Sequence, residues 1–243
     1  MRRPRVDPVE PLPGWGSEVS SPLALAGFLF VVFLAFTLLA MGPLISIDTY
    51  FNLEPPPRGW VPVLHVMDRI GQRVVCLPVL ALAVVVSCRR ARSWRPAWLA
   101  AGAVFSLNLL VLVLKVGLGR GQPEAANPAF FVGGMAYPSG HTSNILLVYG
   151  LAVFLLGRYR LVGQGWTVLM WGLVGLLSMT MVGTSLTLNW HWFADLVAGL
   201  LVGGAVLEVV VAVDAATPRT VLDQGPVAVV RALRKRLRRL PQT

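Results

Sequence analysis

Six apolar stretches divide the chain, separated by short segments that carry most of its charge; they cover residues 22–45, 74–88, 97–117, 142–157, 166–183 and 192–213. None shows the apolar-polar alternation over ~10 residues that marks a strand of an outer-membrane barrel. In lipid the backbone must satisfy its own hydrogen bonds, so uninterrupted apolar runs of this kind predict helices. A membrane-crossing helix needs ~20 apolar residues, and the second and fourth runs fall short of that. Their ends should extend into flanking polar residues or pack inside the bundle. The expected fold is an all-α integral membrane protein, a six-transmembrane-helix bundle over 22–213. An N-terminal segment at 1–21 precedes it and a basic tail at 214–243 follows.

Composition supports this pattern. Of 243 residues, 56% are apolar and 13% are charged, about half the ~25% charge of an ordinary soluble domain. Disorder is excluded, since a disordered chain is poor in apolar residues. The formal charge of +10 would suit nucleic acid, but the cations lie in runs between the spans and no nucleic-acid partner is expected. Their distribution sets orientation instead. Sixteen of the 21 basic residues fall on one side: Arg2, Arg3 and Arg5, Arg89 to Arg95, Arg158 and Arg160, and the tail from Arg219 to Arg239. That side should be cytoplasmic and hold both termini of a plasma-membrane protein, with loops 46–73, 118–141 and 184–191 facing outward. The first apolar run exceeds the ~7–15 residues of a signal peptide, so a retained anchor is expected. Residues 227–240 (VAVVRALRKRLRRL) space their apolar positions as an amphipathic helix on an anionic membrane would; a solvated basic tail is the alternative. Cys76 and Cys88, twelve apart in one apolar run, lie too far apart along a helix for a disulfide.

The remaining polar residues converge on the outward loops. Lys115 lies at the end of the third span, with Arg120 and Gln122 following it; Tyr137-Pro138-Ser139-Gly140-His141 opens the fourth; Ser185, Asn189, His191 and Asp195 flank the start of the sixth. Free backbone N–H groups at a helix start favour an anion. Ser139 adds a hydroxyl donor, and Gly140 lets a ligand approach the backbone. His191 and Asp195, four apart, share a helix face, where the carboxylate can fix the tautomer of the imidazole and stabilise its cation. His191 then becomes a candidate nucleophile, and His141 a general acid for a leaving oxygen. Lys115 and Arg120 supply positive charge for an anionic substrate. This inventory suits phosphoryl transfer. It lacks a carboxylate cluster for Mg²⁺ and cysteines for zinc, so neither a metal nor another cofactor is expected. His65, in VLHVMDR, has no such company and is expected to be interfacial or structural.

With these residues in place the chain resembles the type 2 phosphatidic acid phosphatase family of membrane lipid phosphatases, which shares its site with vanadium haloperoxidases. The family's three motifs are Lys-x6-Arg-Pro, Pro-Ser-Gly-His and Ser-Arg-x5-His-x3-Asp. Here Pro138-Ser139-Gly140-His141 and His191-x3-Asp195 are intact, Lys115 and Pro123 are correctly separated, and Asp48 lies in the outer loop after the first span. The resemblance implies a six-helix bundle with its site near the outer bilayer surface. It implies His191 as nucleophile oriented by Asp195, His141 as general acid, and Lys115, Ser139 and Gly140 as phosphate ligands. Two family arginines are replaced, by Gln122 and Ser185; both replacements still donate hydrogen bonds but cannot form a charged bidentate contact. Arg120, two residues before Gln122, is expected to swing in and restore one charge.

Three readings follow. The first is metal-independent dephosphorylation of a lipid phosphate or diphosphate (polyprenyl diphosphate, phosphatidate or phosphatidylglycerol phosphate) through a phosphohistidine. The second is an impaired lipid-phosphate-binding or scaffold protein. The third, a transporter, is disfavoured because Glu208 is the only charged residue away from the outer ends of the spans, and it lies toward the inner end of the sixth. The expected partners are the lipid bilayer and a lipid phosphate, with the chain acting as a monomer or a homodimer.

Overall fold

The computed structural model describes residues 15–54, 56–218, 223 and 225. Residues 1–14 and the 227–240 segment read as an amphipathic tail lie outside the described residues. Among the described residues there are eight α-helices, beside two short 3-10 turns: α1 (Trp15–Ala40), α2 (Ile45–Tyr50), α3 (Val61–Asp68), α4 (Arg73–Ala91), α5 (Arg95–Leu118), α6 (Gly140–Arg158), α7 (Gln164–Thr187) and α8 (Phe193–Ala216). Six of them, α1 and α4 to α8, are long and apolar enough to cross a membrane, and the chain is an all-helical multi-pass membrane protein. The two short stretches lengthen as expected, from Arg73 and to Arg158.

The first span corrects the sequence reading. It ends at Ala40, not at residue 45, because Gly42 and Pro43 form a turn before α2 begins. Helix α2 was not anticipated, and it and α3 occupy the segment expected as the outer loop 46–73. Val63, Val66 and Trp60 at α3 are exposed, as an interfacial helix requires.

Helices α6 and α8 form the centre, and the exposed apolar side chains of α1, α4, α5 and α7 form the outer belt. Helix α1 packs along α8, and α6 packs against α4, α7 and α8. The close crossing of α6 and α8 depends on Gly199 and Gly203. A Cβ at Gly203 would lie 2.6 Å from the Ser143 carbonyl oxygen, and one at Gly199 would collide with Thr142 Oγ1. Small residues four apart let helix backbones approach in lipid. The close approach is sealed by Thr142 Oγ1 donating to the Leu196 carbonyl at 3.1 Å. Helix α6 contains a π turn at Ile145–Tyr149.

Polar networks clamp both ends of the bundle. At the end away from Ser139 and His191, Asp214 accepts from Arg95 Nε at 2.6 Å and from Arg158 Nε at 2.9 Å, joining α5, α6 and α8. At the other end the loop after α5 folds back on itself. It leaves α5 through Gly119, whose φ of 50° is left-handed and suits glycine. Phe131 N then donates to the Leu118 carbonyl and Val132 N to that of Gly119.

Candidate active site

The site is assembled where α5, α6 and α8 meet the loops at one end. Helix α8 begins with a reciprocal cap: Asp195, its third residue, accepts from Trp192 N at 3.0 Å through Oδ2. That cap fixes Asp195 beneath His191, and the same Oδ2 lies 3.3 Å from His191 Nδ1. The other carboxylate oxygen, Oδ1, accepts from Arg120 Nη1 at 2.7 Å. The His191 side chain is 15% exposed and that of Asp195 fully enclosed. With Nδ1 on the carboxylate, Nε2 is the nitrogen left for chemistry.

The loop before α6 is tied to the same place. Ser139 N donates to the Asp195 carbonyl at 2.9 Å, so Pro-Ser-Gly-His and the start of α8 are joined backbone to backbone. Ser143 Oγ donates to the Ser139 carbonyl at 2.7 Å. Ser139 is buried, and its Oγ has no partner among the described residues. An unsatisfied buried hydroxyl costs free energy unless something occupies it. The His141 side chain is one-third exposed. Asp68, His191, Lys115 and Arg73 all act electrostatically on His141. Lys115 Nζ donates to the carbonyls of Met135 and Ala136.

Arg120 is where the structure departs from expectation. It does not reach toward the opening. Its guanidinium is wholly buried between two wholly buried carboxylates, with Nη2 on Asp48 and Nη1 on Asp195, while Nε donates to the Pro128 carbonyl at 3.1 Å. The ring of Phe130 lies 4.8 Å from its central carbon, with Tyr137 and Trp192 close behind. Every donor edge is engaged or walled off, so Arg120 orients Asp195 instead of meeting a ligand. Asp48 completes the clamp by accepting from Ala194 N at 2.8 Å. Burial pushes the Asp48 carboxyl above its ordinary range, more than Arg120 offsets, and the charge of Asp195 acts in the same direction.

The other expected ligands divide. Gly140 begins α6 beside His141, with open space where a Cβ would stand. Gln122 is exposed. Ser185 is buried, its Oγ 3.5 Å from Met181 Sδ on its own helix. His65 is exposed and its ring lies 5.4 Å from that of Trp190. Sequence reasoning did not find Asp68 and Arg73. Asp68 is buried, with Oδ2 3.7 Å from His141 Nε2. Arg73, exposed at the first position of α4, acts on His141 electrostatically. Both lie in a segment that also carries Asp48, Glu54, Arg58 and Arg69, 73 and 68 residues from His141, so nothing in the local pattern singled them out.

Among curated proteins no sequence matches the chain. Among solved structures, the chain is similar to a transmembrane PAP2-type phosphatidylglycerolphosphate phosphatase from Bacillus subtilis. The two are 19% identical, with a TM-score of 0.64 over 82% of this chain and 98% of that one. That likeness shows the shared fold. Residues 96–218, which hold both histidines and Asp195, match the PAP2 superfamily model, and the chain belongs to the PAP2 superfamily.

Proposed function

We propose that the chain is a lipid phosphatase that cleaves a membrane lipid phosphate or diphosphate through a phosphohistidine on His191, without a metal ion. The observation that carries this reading is the His191–Asp195–Arg120 relay. It holds Nδ1 of a partly exposed imidazole on a carboxylate that is itself fixed from behind. Such an arrangement presents Nε2 for attack and stabilises the cation that attack creates.

The roles follow from the groups present. His191 Nε2 attacks phosphorus, and the P–O bond to the lipid breaks with its electron pair on the leaving oxygen. His141 gives that oxygen a proton. Water then attacks the phosphohistidine, gives a proton back to His141, and releases phosphate as the P–N bond breaks. Ser139 Oγ and the backbone at Gly140 are the uncharged donors for the phosphate oxygens. With Arg120 engaged and arginine missing at 122 and 185, Lys115 and Arg73 are the cations that complete the anion site. The charge bias supports an extracytoplasmic site, and the exposed apolar side chains of α3 support its lying at the bilayer surface, from which a lipid-borne phosphate would arrive laterally. Phosphatidylglycerol phosphate, named for the Bacillus subtilis protein, is one substrate to supply, beside phosphatidate and polyprenyl diphosphate.

The test is release of inorganic phosphate from these three lipids by purified protein in chelator, with His191→Ala as control. Release that the variant lacks is expected. Unchanged turnover by His191→Ala sinks the mechanism. Gln122 and Ser185 favour a second reading, a lipid-phosphate-binding protein, and binding without release by the folded protein would select it.

A further inference from the structure

The outer-loop segment from α3 to the start of α4 lies on the site as a wall. Met67 Sδ is 4.0 Å from Thr184 Oγ1, and the Ile70 carbonyl accepts from Tyr149 Oη at 2.9 Å. Gly71 sits so close that a Cβ there would lie 3.1 Å from His141 Cβ and 2.8 Å from Met181 Cε. This packing buries Asp68 to 1% exposure. Its Oδ2 accepts from Gln72 Nε2 at 3.0 Å and stands 3.7 Å from His141 Nε2. Its Oδ1 is buried with no partner among the described residues.

A buried carboxylate is costly unless its charge is compensated, and one neutral amide does not compensate it. The ionisable side chain paired with Asp68 is His141. The other titratable or charged groups acting on His141, namely His191, Lys115 and Arg73, are cationic or can become so. Asp68 is the one acidic group among them. The site thus holds two carboxylate–imidazole pairs, Asp195 with His191 and Asp68 with His141.

Resting on the phosphohistidine reading above, we infer that Asp68 is the positioning residue of His141, its carboxylate keeping a proton on Nε2 so that Nδ1 carries the proton exchanged with the leaving oxygen. When His191 displaces the lipid oxygen, His141 Nδ1 gives up its proton and the ring becomes neutral, with Nε2–H still facing Asp68. The water that hydrolyses the phosphohistidine returns a proton to Nδ1. Gln72 holds Asp68 from the other side.

Asp68→Asn tests this, with Gln72→Met as a second variant that leaves the carboxylate in place but unsupported. Two phosphates are compared: phosphatidate, whose alkoxide leaving group needs a proton, and p-nitrophenyl phosphate, whose aryl oxide does not. For phosphatidate, the rate of phosphoryl transfer to His191, read as kcat/KM, should fall roughly 10²-fold in Asp68→Asn, the lower end of what general acid–base catalysis contributes. For the aryl ester that transfer, read as the p-nitrophenolate burst, should stay near wild type, while later turnover slows because water still gives its proton to His141; Gln72→Met should show a smaller loss of the same selectivity. Equal losses of the transfer rate on both substrates would mean that Asp68 only supports the fold and would overturn the inference. ¹⁵N-histidine spectra in detergent micelles read the pair without turnover: Asp68→Asn should move the His141 Nε2 resonance and leave that of His191. A His141 resonance indifferent to Asp68→Asn overturns the inference. A wild-type protein that releases no phosphate, yet shows the shift, defeats the phosphatase reading alone.

Discussion

Replacing Arg120 by methionine separates the two roles that this residue can have. Arg120 and both of its carboxylates have fully buried side chains, with Nη1 2.7 Å from Asp195. Methionine keeps much of the stem volume against Phe130 and Trp192 but removes the charge, stranding Asp48 and Asp195 together. Breaking a buried ion pair by removing one partner costs about 3–5 kcal/mol. At roughly 2–4 °C per kcal/mol for a domain of this size, the melting temperature should fall by about 6–20 °C. Intrinsic tryptophan fluorescence in detergent, at one fixed scan rate because membrane proteins rarely refold on cooling, reads the shift. Adding Asp48→Asn should recover part of the loss, since one stranded charge is less costly than two. A melting temperature unchanged within about 2 °C, with a raised KM for the lipid phosphate, would refute the reasoning and return Arg120 to the substrate.

Other consequences are as direct. Arg73→Ala should weaken lipid-phosphate binding by about 10- to 100-fold, the range of one charged hydrogen bond, and leave the melting temperature unchanged; an unaltered KM would remove Arg73 from the anion site. Gly199→Ala should destabilise by about 1–3 kcal/mol through overpacking and lower turnover by separating His141 from His191, read by melting and by phosphate release; a neutral result would contradict the close α6–α8 crossing. The raised pKa of Asp48 means that the folded state binds this proton more readily than the unfolded chain. Its contribution is therefore present below the ordinary 3.8 and is lost as pH rises through the folded value. Melting curves taken upward in pH from the ordinary 3.8 should slope less steeply with pH in Asp48→Asn, and an identical slope would show that Asp48 is not the group responsible.

The spans were legible because each is a long apolar run, and lipid permits such a run little besides a helix. The break at 41–44 was harder to see, since Gly42 and Pro43 interrupt the apolar pattern without adding charge. His141, His191 and Asp195 were legible because motif spacing places them at helix starts. Arg120 was legible as a cation but not as a buried one: whether a guanidinium faces a ligand or a carboxylate depends on Asp48, 72 residues away in sequence. Asp68 and Arg73 were not legible as site residues, because the segment that carries them meets His141 through tertiary packing, with Gly71 against His141 and Ile70 against Tyr149. Local sequence patterns report helices and caps; contacts between loops are set by the bundle.

The central claim is that His191 becomes covalently phosphorylated. Rapid acid-free quenching of the wild-type protein with ³²P-labelled lipid phosphate, followed by mapping of the label, tests it most directly. Label that is stable in alkali, labile in acid, carried on the peptide containing His191 and missing from His191→Ala is the predicted result. Phosphate release with no label on His191, or label that survives in His191→Ala, would contradict it.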